Sequence, residues 1–245
     1  MKNTSDYFPK VVIGFDPGWE AQNWYGTFSK EVIYGLKNSK NKFGLGNIPQ
    51  EIAKIVLNAK SEQEALGLIS KEINPFINRP EMKETMSQAI STAKLRWDNV
   101  GNQYFTLLSK MLDIPISEFE EQYHAFFTFG VRCPFYSNSF MFNQYMDFAD
   151  GAMHEIMHIE FLKKYKQYCL DKGLDQTQIS HLKEILTILL NRDMSHLLSR
   201  PDQGYTKHQE IRPKVLEIYK KSRDNKESFV KFLDKAIALI KNVNF

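Results

Sequence analysis

The chain has 245 residues, a formal net charge of +3, and is 42% hydrophobic and 25% charged. This composition excludes a disordered or low-complexity chain, and so weak and diffuse a positive charge argues against a nucleic-acid partner. The length suits one large domain or two lobes around a cleft.

Two cysteines, Cys133 and Cys169, allow one disulfide at most and form no C-x-x-C pair. No apolar run approaches the roughly 18–20 residues needed to span a bilayer. The start, MKNTSDYFPKVVIGF, lacks a signal peptide's apolar run and small-residue cleavage site. The expectation is a cytoplasmic protein with no membrane partner.

Taken in order, Tyr7–Phe15 is β-prone and predicts a strand, closed by the turn signal Asp16-Pro17-Gly18. Trp19–Gly46 lacks a clear period and reads as loop, with a short helix near Lys30–Leu36. Pro49–Asn58 and Ser61–Ile73 predict two helices, with Ser61 and Glu64 as a capping box. Pro80 opens a long amphipathic pattern that predicts one helix to about Leu112. Tyr123–Arg132 and Ser139–Asn143 are aromatic and β-prone; Pro134 between them points to a strand at a sheet edge.

A helix is expected from Asp150, or from about Gln144, to about Leu170, stopping before Gly173. Asp175–Met194 predicts another, capped by Asp175 or Thr177. Thr206–Lys221 and Glu227–Asn242 close the chain, with Pro213 kinking or restarting the first of them. The fold class expected is α+β: a small mixed or antiparallel sheet with surrounding helices, and a mostly helical C-terminal half. The sheet would occupy an N-terminal lobe of about residues 1–143, and the helical lobe about 144–245, with the cleft between sheet and helices.

The chemistry-bearing stretch is Gly151–Phe161, GAMHEIMHIEF, which contains His154-Glu155-Ile156-Met157-His158, an H-E-x-x-H pattern. Residues four apart on a helix share a face, so His154 and His158 offer two imidazoles to one metal ion, with Glu155 beside them as a base. With 6 histidines in the chain, random placement gives roughly 0.01 such matches. The flanking Ala152, Met153, Ile156, Met157, Ile159 and Phe161 make the helix apolar nearly all round, hence buried. Buried histidines and a glutamate require polar partners or a metal.

Glu160 lies about 200° round the helix from His158, on the wrong side for a third ligand. Phe161 and Lys164 stand where a metzincin carries Gly and His, which excludes that class. Glu184 is the better third ligand. In LKEILTILLNR, Glu184, Thr187 and Asn191 form one polar stripe on a greasy helix, extended by His181. A buried carboxylate there needs a cation, and together with the histidines it makes a His₂Glu zinc site.

H-E-x-x-H followed by a glutamate on the next helix resembles the gluzincin branch of the zincin metallopeptidases, in its small, minimal form. The resemblance covers mainly Phe126–His208. Many gluzincins place an Asp four residues after the ligand Glu to steady a zinc-bound His; here that position is Ile188. Thr187 or Asn191 is expected to take over that task. The resemblance also implies a substrate strand along a sheet edge, for which Phe126–Val131 or Ser139–Asn143 are expected.

It further implies a Tyr or His donor to the oxyanion; Tyr205 and His208 offer both. Arg212, one turn on, is expected to bind a substrate carboxylate. The function expected is a zinc-dependent metallopeptidase acting on a peptide or protein through a water at the metal, activated by Glu155. The competing expectation is a metal-bearing regulatory or interaction protein, its site closed by a fourth ligand such as His181.

Overall fold

The computed structural model describes residues 8–29 and 46–243. The fold is α+β, with a four-stranded mixed sheet among helices. Two compact units share the chain in an interleaved way. Val11–Asn99 with Gln122–Phe148 form a sheet unit; Met1–Lys10, Val100–Glu121 and Ala149–Phe245 form a helical unit. The helical unit therefore takes in Val100–Glu121, which the reading of the chain placed with the N-terminal lobe. No helix of the described residues is long and apolar enough to cross a membrane, and both cysteines are free thiols.

The sheet has the order β1 (Lys10–Gly14), β2 (Gln122–Phe127), β4 (Ser139–Phe142), β3 (Phe135–Tyr136). β2 and β4 run parallel, Phe127 beside Phe142, and β3 pairs antiparallel with β4. Pro134 immediately precedes the two-residue edge strand β3, as its missing N–H requires. Of the two stretches expected to form a substrate-binding edge, Ser139–Phe142 is the inner strand β4, between β2 and β3, while only Phe126 and Phe127 of the other lie in a strand, the inner β2.

Helix α1 (Pro17–Ser29) occupies much of the stretch read as loop. Asp16-Pro17 is a helix start rather than a turn: Asp16 Oδ1 accepts the Trp19 N–H at 2.8 Å, and Pro17 sits where no N–H is needed. The expected helix near Lys30–Leu36 lies outside the described residues. α1 hides its identity because it buries polar groups with its aromatics. Glu20, Asn23 and Thr27 are buried beside Trp24 and Phe28. Glu20 Oε1 accepts from Trp24 Nε1 at 2.6 Å and from the Phe129 N–H at 2.9 Å. Asn23 donates to Thr128 Oγ1 at 2.9 Å and to the Arg132 carbonyl at 3.0 Å. Together these bonds pin α1 to the segment that leaves β2.

α2 (Glu51–Asn58) and α3 (Glu62–Ile77) match the expected helical pair. Ser61 caps α3, though Glu64 reaches back to the Lys60 N–H rather than completing a reciprocal box. The long helix expected from Pro80 is two helices, α4 (Pro80–Asp98) and α5 (Gly101–Leu112). The break falls at Asn99-Val100, where Val100 leaves helical geometry ahead of Gly101; an apolar stripe can continue across such a break.

In the helical unit, α6 (Phe148–Asp171) carries the H-E-x-x-H motif and ends as expected near Gly173, which has a left-handed φ of 82°. Asp150 is not its cap but lies in its first turn, accepting the Ser199 N–H at 2.8 Å. α7 (Gln176–Leu186) starts with a full Asp175–Gln178 capping box, and Thr187 separates it from the short α8 (Ile188–Asp193). Pro213 restarts the chain at α9 (Arg212–Asp224), and α10 (Phe229–Ile240) follows, capped by Ser228. α5 backs the motif helix: the buried Tyr104 hydroxyl donates to the Met153 carbonyl at 2.7 Å, one residue before His154.

Burial raises the Glu20 carboxyl from 4.5 to about 7 against its three hydrogen-bond donors. Between those values the folded chain holds a proton that the unfolded chain has released, so stability falls as pH rises through the window, by on the order of 3 kcal/mol in total. Glu20→Gln should flatten the fall in thermal stability between pH 5 and 8. Parallel melting-temperature profiles for variant and wild type would refute that assignment.

Candidate metal centre

α6 and α7 are joined by a four-residue connection, so α7 packs back on the motif helix within the helical unit. His154 and His158 stand one turn apart with ring centroids at 4.3 Å. Glu184 Oε2 lies 3.4 Å from His154 Nε2 and 3.6 Å from His158 Nε2. These three residues form a cluster with ligand atoms within 4.8 Å of one another. Zinc–nitrogen bonds of about 2.0–2.1 Å at tetrahedral angles imply ligand–ligand edges of about 3.3–3.4 Å. Glu184 Oε2 is buried and accepts no hydrogen bond among the described residues. An orphaned carboxylate oxygen facing two imidazole nitrogens at these spacings fits a divalent cation of zinc type.

Glu155 sits on the same helix, its Oε2 also buried, without a hydrogen-bond partner among the described residues, and 3.6 Å from His158 Nδ1. Lys183 is buried, its ammonium bonded to Glu184 Oε1 and 3.4 Å from His158 Nδ1. This leaves Glu184 to present one oxygen to the histidines rather than two.

The group that steadies the motif's first histidine is one the sequence did not reveal. His154 Nδ1 donates to Asp202 Oδ2 at 2.8 Å, which directs Nε2 toward Glu184. Thr187 Oγ1 donates to Asp202 Oδ1 at 2.8 Å; Asn191 donates to the Asp202 carbonyl at 2.8 Å and accepts its N–H at 2.6 Å. The two residues expected to steady a histidine therefore act one step removed, by holding the aspartate that does. Asp202 is 48 residues from His154, and no local spacing announces it. The polar stripe of Thr187 and Asn191 was its only trace.

Arg212, expected to meet a substrate carboxylate, is turned into the protein. It is 2% exposed and its guanidinium is consumed internally. It bonds Asp202 Oδ1 at 2.6 Å, the Asp202 carbonyl at 2.9 Å, Thr187 Oγ1 at 2.8 Å and the Glu184 carbonyl at 3.0 Å. His208 is likewise enclosed: its side chain is fully buried, and its Nε2 lies 3.0 Å from His181 Nδ1. Tyr205 is 56% exposed and stacks edge-on against His208. His181, the extra ligand a closed site would need, faces His208 and is not in the three-residue cluster. Glu160 is turned away, as the helix geometry requires, and accepts the Glu120 N–H.

The electrostatics follow from these contacts. Burial alone would lower the His154 pKa, but Asp202 and Glu184 outweigh it and raise it to about 10. Burial would raise Glu184 and Asp202. For Glu184 the adjacent His154 imidazole, then the charges of His158 and Lys183, hold the carboxyl well below the usual range. For Asp202 His154 and Arg212 do the same. His158 is pushed down by burial, then by His154. His208 falls to about 4, through burial and the neighbouring His181 and Lys207.

Comparison with known proteins gives no match: no protein-family model, no curated protein and no solved structure is similar to this chain.

Asp202→Asn should weaken zinc binding about 10- to 100-fold, read by competition with a chromogenic chelator; unchanged affinity would show that the aspartate does not orient His154. Gly204 has φ +59°, and a Cβ there would run into the Arg212 guanidinium. Gly204→Ala is therefore expected to destabilise the protein by about 1–3 kcal/mol in denaturant unfolding, from backbone strain and displacement of Arg212.

Proposed function

We propose that this protein is a zinc-dependent metallopeptidase of gluzincin type. The observation that carries the reading is the placement of His154 Nε2, His158 Nε2 and Glu184 Oε2 at metal-ligand spacing, with an orphaned carboxylate beside them. His154, His158 and Glu184 would hold the ion. The chemistry supplied by zinc, when bound, is polarisation of a carbonyl and acidification of a water.

Glu155 takes the proton of the attacking water as the C–O bond forms, and delivers it to the amine as the C–N bond breaks. A base needs an oxygen not already committed, and Glu155 Oε2 meets that requirement. Asp202 fixes the tautomer of His154 and Lys183 restrains Glu184, so the donor set needs little rearrangement. Tyr205 is the donor to the tetrahedral oxyanion, since its hydroxyl belongs to an exposed side chain whereas His208 is enclosed. The substrate is a peptide or protein, and the two free thiols suit a cytoplasmic setting.

Metal analysis of the purified chain should find about one zinc per molecule, sharply reduced by Glu184→Ala. Glu155→Gln should keep zinc and fold but lose hydrolysis of a peptide library. Zinc retained in full by Glu184→Ala would remove that ligand, and full activity in Glu155→Gln would remove the base.

A further inference from the structure

The sheet unit holds a second polar feature, independent of the metal centre. A cleft of about 620 Å³ opens between α1 and the segment that runs into β3, with Trp19, Tyr25, Phe135 and Tyr136 among its walls and Arg132 on its floor. The volume is that of a small-molecule site. The other half-buried arginines each have an aspartate: Arg96 with Asp147, Arg192 with Asp193, Arg223 with Asp113. Arg132 is half-buried too, yet among the described residues its guanidinium has no ion pair or hydrogen bond. Glu62 lies on the same cleft without pairing to it.

Arg132 is nonetheless held in place. Its carbonyl accepts from Asn23. Its Nη1 rests against Gly26, where a Cβ would come within 2.6 Å of it. A glycine inside a helix weakens that helix, and here it leaves room for a cation. Asn23, which holds the Arg132 carbonyl, is 3% exposed and also borders the cleft. Trp19 is fixed from behind by Phe126 at 5.6 Å between ring centroids.

The geometry points to a binding site for an organic carboxylate with an aromatic or apolar body. The carboxylate meets the Arg132 fork. The body lies against Trp19 and Tyr136. Glu62 at the cleft disfavours multiply charged anions.

N-acetylphenylalanine carries both features, and its C-terminal amide replaces the carboxylate with a neutral group of similar shape. Titration of the full chain, followed by calorimetry, should give saturable millimolar binding of the acid, and at least tenfold weaker binding of the amide. Arg132→Gln should weaken binding of the acid at least tenfold. Gly26→Ala should weaken it several-fold without lowering the melting temperature, because the added methyl favours the helix while shifting the guanidinium. Glu184→Ala, in the other unit, should leave it unchanged. Absence of saturable binding to wild type, equal affinity for acid and amide, or wild-type affinity in Arg132→Gln would each overturn the assignment.

Discussion

The helical unit depends on one buried cation. Arg212 sits where water cannot reach it, and a lone guanidinium there would cost several kcal/mol. Asp202 neutralises it, while Thr187 and the carbonyls of Glu184 and Asp202 take up three more N–H groups of Nη1 and Nη2. Three segments distant in the chain thereby meet at one point: the break between α7 and α8, the irregular stretch after α8, and the start of α9. The other oxygen of Asp202 faces His154. A requirement of burial, that a charge be matched, thus also orients the first histidine of the H-E-x-x-H motif.

This arrangement answers the departure noted in the sequence. Where many gluzincins have an acid one turn after the ligand glutamate, Ile188 stands here and is silent. The carboxylate comes from 18 residues after Glu184, on an irregular segment, and is held by the polar stripe that remained in view. Helix periodicity reports what lies on one face, and it placed His154, His158 and Glu184 together correctly. It carries no information on which irregular segment folds back over that face, so Asp202 could not be read, and Arg212 was given a task outside the protein instead of inside it.

A similar limit governed the sheet unit. Glu20, Asn23 and Thr27 broke the apolar period of α1, so a real helix looked like loop. Glu20 and Asn23 are polar because they satisfy backbone groups of the segment leaving β2, a tertiary demand with no local signature, while Thr27 bonds back to the Asn23 carbonyl within the helix. The H-E-x-x-H helix was legible because its interior is apolar on nearly every side and its polar exceptions fall at one spacing. The α4–α5 break was not, since Asn99 and Val100 interrupt the backbone without interrupting the stripe.

The bridge through Asp202 ties the motion of the 201–205 segment to His154. That segment has no helix or strand of its own to hold it. Its order rests on Arg212, Asn191, Thr187 and the imidazole, with Gln209 bonded to the Gln203 and Tyr205 carbonyls. If it opens locally, the histidine loses its acceptor and the ring regains freedom to rotate; while it is closed, the ring is locked. Segment opening and loss of imidazole orientation are one event. The residence time of the closed segment therefore bounds how long the ring stays aligned, and a change of sequence at 201 or 203–205 acts on His154 only through Asp202.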